Sequence, residues 1–138
     1  MKKLSFLALM LCFTVLCFAQ DASKPVLSFG EKSYDFGTVK EEVGKITHEF
    51  NFTNTGKAPL VIQQVTASCG CTTPSWTKEP IAPGAKGAIT VTYSAAGRPG
   101  TFQKSITVTN NSAENPIVLT IKGQVTPKAT AQVTPSTK

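Results

Sequence analysis

The sequence predicts an all-β domain, a sandwich of about seven short strands, and three observations carry the prediction. Apolar and polar residues alternate with period two in several separate runs. Gly, Pro and Asn interrupt those runs about every 8–12 residues, the spacing of sandwich turns. Beyond the first 19 or so residues, no stretch keeps a helical period for more than about two turns, so no helix is expected there.

Val26 to Phe29 reads as a short first strand, and Tyr34-Asp35-Phe36-Gly37 continues after a break at Gly30-Glu31. In the run Ile46 to Thr53, the residues Ile46, His48, Phe50 and Phe52 share one face, and Thr47, Glu49, Asn51 and Thr53 the other. Such alternation marks a strand with one side against a core. Asn54-Thr55-Gly56-Lys57 ends it as a turn, and Leu60 to Val65 follows as the next strand, leading into Ser68-Cys69-Gly70-Cys71-Thr72. Thr73 to Lys86 holds three prolines and the turn pair Pro83-Gly84, so it is expected to be irregular, with at most a short edge strand and with Trp76 outside any clear strand. Ile89, Val91 and Tyr93 alternate with Thr90 and Thr92; Phe102, Ile106 and Val108 mark one side of the next strand, and Ile117, Leu119 and Ile121 one side of the last. The span from Val26 to Thr126, about 100 residues, has the size of an immunoglobulin-like sandwich, without the Cys…Trp…Cys core of antibody domains.

The ends differ from this body. Met1-Lys2-Lys3 precedes an apolar run from Leu4 to Ala19, too short to span a bilayer comfortably, which takes about 20 apolar residues. A basic start, an apolar centre and a small terminal residue are the parts of a secretory leader, so residues 1–19 are expected to be a signal peptide cut after Ala19. Lipid attachment at Cys17 or Cys12 is disfavoured, because each follows a bulky leucine, Leu16 or Leu11. Residues 20–126 then form the domain. Residues 127–138, rich in Thr, Ala, Pro and Lys, are expected to be a disordered tail that buries too little apolar surface to order itself. The protein is thus expected outside the cytoplasm, in the periplasm or at the cell surface, with no membrane span after cleavage.

Removing Lys2 and Lys3 lowers the formal net charge of +6 by two, and the remaining basic residues are scattered. Without a concentrated basic face, nucleic-acid binding has no support. Nothing in the composition calls for a cofactor or a small-molecule substrate.

The same cut leaves two cysteines, Cys69 and Cys71, in an oxidising compartment. Cys69-Gly70-Cys71 is the one motif with evident chemistry. Its thiols can close a small ring as a structural or labile disulfide, with Gly70 free to take a positive φ. They can serve in redox exchange with a partner, or hold Cu(I), which accepts two sulfur ligands. Zinc wants four ligands, and the chain past the leader offers two cysteines and His48. His48 reads either as a ligand or base beside the cysteines, or, the favoured reading, as a core-edge residue bonded to backbone. Glu41-Glu42, Asp35 and Glu49 read as surface charges rather than a glycosidase pair, and Ser68 has no nucleophile elbow around it. Trp76, close after Pro74, is either a binding anchor or a plug for the open end of the sandwich. The candidate binding residues are therefore Ser68, Cys69, Gly70, Cys71, Thr72 and Trp76.

Phe36-Gly37-Thr38-Val39, Phe50-x-Phe52-x-Asn54-Thr55-Gly56, Leu60-Val61-Ile62, Ser68-Cys69-Gly70-Cys71-Thr72, Ile81-Ala82-Pro83-Gly84, Gly100-x-Phe102 and Gly123-x-Val125 together resemble the bacterial domain of unknown function 1573. The resemblance runs from about Val26 to Val125, and its most specific element is Ser-Cys-Gly-Cys-Thr. It implies an immunoglobulin-like fold akin to major sperm protein and hydin-type sandwiches, in a family abundant among exported proteins of Bacteroidetes and without an established activity. The expectation is a non-enzymatic exported module that binds an envelope protein, with a thiol-redox or Cu(I)-handling protein as the alternative. The leader is checked by intact mass of the protein recovered from cells. A chain beginning at Gln20 is expected, and a lipid adduct at Cys17 would overturn it.

Overall fold

The structure, a computed structural model, describes residues 23–129, so the leader and most of the tail lie outside the described residues. Eight strands form: β1 (Leu27–Phe29), β2 (Ser33–Lys40), β3 (Lys45–Asn54), β4 (Ile62–Ala67), β5 (Thr72–Trp76), β6 (Lys86–Ser94), β7 (Gly100–Asn110) and β8 (Ile117–Thr126). They pair into two four-stranded sheets, β1-β3-β6-β5 and β2-β8-β7-β4. All pairings are antiparallel except β2 with β8, where the chain, having left β1 in the first sheet, crosses to the second. The sandwich expected from the periodicity is present.

The inward faces are those the alternation marks. Phe50, Ile89 and Val91 of one sheet and Ile106, Leu119 and Ile121 of the other are fully buried. Each such side chain contributes about 1.5–3 kcal/mol by leaving water. Tyr93 and Phe102 stack across the gap between the sheets, ring centres 4.1 Å apart.

Two expectations need correction. The short edge strand allowed for after the cysteines is β5, and Trp76 is its last residue rather than lying outside a strand. Pro74 is accommodated because β5 is an edge strand, bonded to β6 alone. The strand expected at Leu60 begins at Ile62 and reaches Ala67; Leu60 instead makes an isolated bridge to Ile81, with both backbone bonds formed. A single 3-10 turn, Glu41–Val43, occupies the loop that carries the paired glutamates. Otherwise the described residues contain no helix, and none long and apolar enough to cross a membrane.

Asn54, read from sequence only as the start of a turn, is completely buried. Its Oδ1 accepts from the backbone N–H groups of Val26 and Gly56, and its Nδ2 donates to the carbonyls of Ala58 and Ile81. Burying an amide is favourable only when its bonds are made, and here all four are. Gly56 belongs to the same knot. A Cβ there would sit 2.4 Å from both Lys24 O and Val26 N, which leaves room for glycine only.

Replacing Asn54 with Ala removes the partner of the Ala58 carbonyl and of the Val26 and Gly56 N–H groups, while the Ile81 carbonyl keeps the Leu60 N–H. Asn54→Ala is expected to lower stability by about 3 kcal/mol, read as a lower urea midpoint at unchanged slope.

Candidate functional site

The cysteine loop is the crossover between the two sheets. β4 is an edge of the second sheet and β5 an edge of the first, so the chain changes layer between Ala67 and Thr72. Cys69 and Cys71 are joined by a disulfide, their Cα atoms 5.3 Å apart. Each end of the loop is tied down separately. Ser68 N donates to Ser105 O and its Oγ accepts from Ser105 N, extending the β4–β7 ladder. Cys71 O accepts from Ser94 N, which starts the β5–β6 ladder, and Thr72 N donates to Cys69 O across the turn.

Thr72 is the buried residue of the loop, 4 % exposed, and its Oγ1 lies 3.6 Å from Cys69 Sγ and 3.8 Å from Cys71 Sγ. Disulfide sulfurs carry no proton, so the one hydrogen of the threonine hydroxyl is what either contact can use, for one sulfur or shared between the two. Gly70 departs from expectation. Its φ is not positive, and a Cβ placed on it would meet nothing within 4 Å. The turn closes without left-handed backbone, and the missing side chain leaves the loop tip open.

Cys71 borders an open recess of ≈ 420 Å³ on the outer face of the first sheet, together with Lys45, Gly70, Thr73, Ser75, Thr92 and Ser94. Ser75 also borders a second recess of ≈ 420 Å³ that includes Glu49, Trp76, Lys78 and Thr90. The two form one shallow track beside β5, hydroxyl-rich because the outward positions of β5 and β6 are Thr73, Ser75, Thr90, Thr92 and Ser94. Trp76 is half-buried against the core, with Lys78 Nζ 4.6 Å from its ring centre. It closes the far end of the sandwich edge while one rim borders the track. Thr72 and Trp76 are four residues apart along β5, about 13 Å, and Ser68, Cys69, Gly70 and Cys71 lie in the loop before it, so the predicted site residues form no single cluster. Ser68 faces the other sheet.

The free edge of β5 is a poor template for another strand. The Ser94 N to Cys71 O bond makes Thr72–Tyr93 a non-hydrogen-bonded pair, and by alternation Pro74–Val91 as well. Pro74 therefore turns its nitrogen, which has no hydrogen, toward the open edge, and the Thr72 N–H is spent on Cys69.

His48 does not join the cysteines. Its ring stacks on Tyr34 at 3.5 Å between centres, and its Nε2 lies 2.8 Å from Glu31 Oε1. The bond is thus to a carboxylate, not to backbone, and Phe50 and Phe36 complete the surroundings. Among the described residues no three His, Cys, Asp or Glu side chains gather as a metal site. Asp35 lies 3.7 Å from Lys122, and Glu41 accepts from the backbone of Gly97 and Lys128. A further recess of ≈ 310 Å³, bordered by Asp35, Gln103, Lys122 and Gln124, lies on the outer face of the second sheet, away from the disulfide.

Two packed four-stranded sheets, antiparallel except where β2 pairs with β8, form an immunoglobulin-like sandwich. The chain belongs to the DUF1573 family of proteins of unknown function, which matches residues 27–125. No curated protein sequence is detectably similar to it. Among solved structures it resembles a protein of unknown function from Porphyromonas gingivalis W83, at 16% identity and TM-score 0.66, over 77% of this chain and 49% of that one. The ASH/PapD-like domain 7 of human CEP192 matches at 10% identity and TM-score 0.63, over 83% of this chain and 94% of the domain. A secreted serine protease of Vibrio cholerae, VesC, matches at 16% identity and TM-score 0.55, over 72% of this chain and 23% of the protease. This chain thus corresponds to about half of the Porphyromonas protein and a quarter of the protease. At these identities the likeness is one of fold.

Gly70→Ala tests the turn. With ordinary backbone and open space at the site, the variant is expected to keep its stability within about 0.5 kcal/mol and to form the disulfide fully, measured by urea unfolding and thiol titration.

Proposed function

We propose that this protein is an exported, non-enzymatic immunoglobulin-like module of the bacterial envelope that acts by protein–protein contact. The contact surface is the side of the sandwich from Ser68 to Lys78, met on its outer face.

The observation that carries the reading is the anchored disulfide loop beside an open, hydroxyl-lined track. A loop bonded to both sheets and closed by a disulfide loses little entropy when a partner docks, so its contacts count toward affinity. The track is shallow and polar, with Thr and Ser hydroxyls, Lys45, Lys78 and Glu49 as bonding groups. Such a surface suits an extended segment of another protein better than a small molecule, which needs an enclosing pocket. Polar rims of this kind supply specificity around a few anchors, and Trp76 is the aromatic one here. A Cu(I) site at Cys69 and Cys71 would first require the disulfide to be reduced, so the bonded pair favours the contact reading.

A photo-cross-linking residue at Ser75, in the intact protein in its own cells, is expected to give discrete protein adducts. The same group at Gln103, beside the recess on the opposite face, is expected to give none. Absence of adducts at Ser75, or the same adducts from both positions, would overturn the assignment of the surface.

A further inference from the structure

The disulfide itself borders the track, and the two sulfurs are not equivalent. Cys71 lines the recess, whereas Cys69 does not, lying at the end of the ladder toward the second sheet. Gly70 between them offers no side chain to block approach. A thiolate carried by a segment lying in the track therefore reaches Cys71 first.

The surroundings suit departure of a thiolate. The Thr72 hydroxyl lies 3.6 Å from Cys69 Sγ and 3.8 Å from Cys71 Sγ, so it is within reach of the sulfur that leaves. A hydroxyl donor stabilises a thiolate more than a disulfide sulfur. Lys45 borders the recess and no carboxylate does. Local positive charge favours an incoming thiolate.

We propose that the Cys69–Cys71 disulfide is an exchange site for a protein dithiol, attacked at Cys71. This rests on the reading of the Ser68–Lys78 side as a contact surface and names the chemistry of its partner. The partner's thiolate forms a bond to Cys71 Sγ as the Cys71–Cys69 bond breaks, and the electron pair leaves on Cys69 Sγ. The partner's second thiolate then bonds to its own first sulfur and releases Cys71. The two new thiolates take up two protons, so the protein's disulfide is reduced by two electrons and the partner's dithiol is oxidised to a disulfide. In the opposite direction, the oxidised loop is the product left when the module reduces a partner. Exchange runs faster when the leaving thiolate is stabilised.

The probe is thioredoxin whose resolving cysteine is replaced by serine, mixed with the full chain, quenched with acid and mapped by peptide mass. A mixed disulfide on Cys71 is expected, with Cys69 free. The same reaction with Thr72→Val is expected to be slower by about threefold or more, since leaving-group stabilisation enters the rate directly, and Thr72→Ser, which keeps the hydroxyl, is expected to retain the wild-type rate. Attachment to Cys69, no attachment at all, or equal rates for Thr72→Val and wild type would overturn the proposal. Loss of rate in Thr72→Ser as large as in Thr72→Val would do the same, by marking a packing effect. Cross-linking at Ser75 in the wild-type chain separates the two readings. Adducts at Ser75 with no mixed disulfide on Cys71 sink the exchange alone, whereas absence of adducts at Ser75 sinks the contact surface.

Discussion

The structure depends on one buried amide. Asn54 lies where three separate pieces of chain meet, the lead-in to β1, the turn after β3 and the Ile81 segment, and its side chain bonds to all of them. Without the amide, the Ala58 carbonyl and the N–H groups of Val26 and Gly56, all partly shielded from water, would lose their partners. The amide also holds Ile81 opposite Leu60, so the isolated bridge between them closes the end of the sandwich just before β4 begins. Asn110 does similar work at the corresponding end of β7. It is 1 % exposed, with Oδ1 accepting from Ser112 N and Nδ2 donating to Glu114 O. Both asparagines lie at the same end of the sandwich, around the segment from Ala58 to Ile62, at the end opposite the cysteine loop.

At the other end of the sandwich, the crossover from β4 to β5 has little freedom of its own. The chain must pass from one sheet to the other within a few residues, and it does so through a disulfide-closed turn bonded to Ser105 on one side and Ser94 on the other. The chemistry-bearing motif is therefore part of the scaffold. It lies at the rim of the first sheet, where Cys71 borders the recess beside β5. Pro74 adds a restriction of a different kind, since it removes a donor from the free edge.

The fold was legible in the sequence to a large extent. Period-two alternation through Ile46–Thr53 and through Ile89–Tyr93 marks the faces that become the core, because a strand with one buried side has no other pattern open to it. What escaped was local. Pro74 made the segment after the cysteines look irregular, yet an edge strand tolerates proline when its nitrogen faces outward. Gly70 suggested a left-handed turn, but closure of the loop did not require one. Of the site, the Cys-Gly-Cys pair and Trp76 could be read directly. Lys45, Thr92 and Ser94 could not, since they come from strands paired only in three dimensions, and their one sequence signal is the row of Thr and Ser at outward positions of β6.

By itself, then, the sequence determined the class of fold, the inward faces of the strands and the proximity of two thiols one residue apart, all consequences of short-range pattern and covalent spacing. Only the tertiary structure decided that the thiols lie at the crossover between sheets, that His48 turns to Glu31 and Tyr34 instead of toward sulfur, and that Asn54 is a buried hub. Those outcomes follow from which strands pair and in what register. Such pairing is set by the packing of the whole core, and no local stretch of sequence contains it.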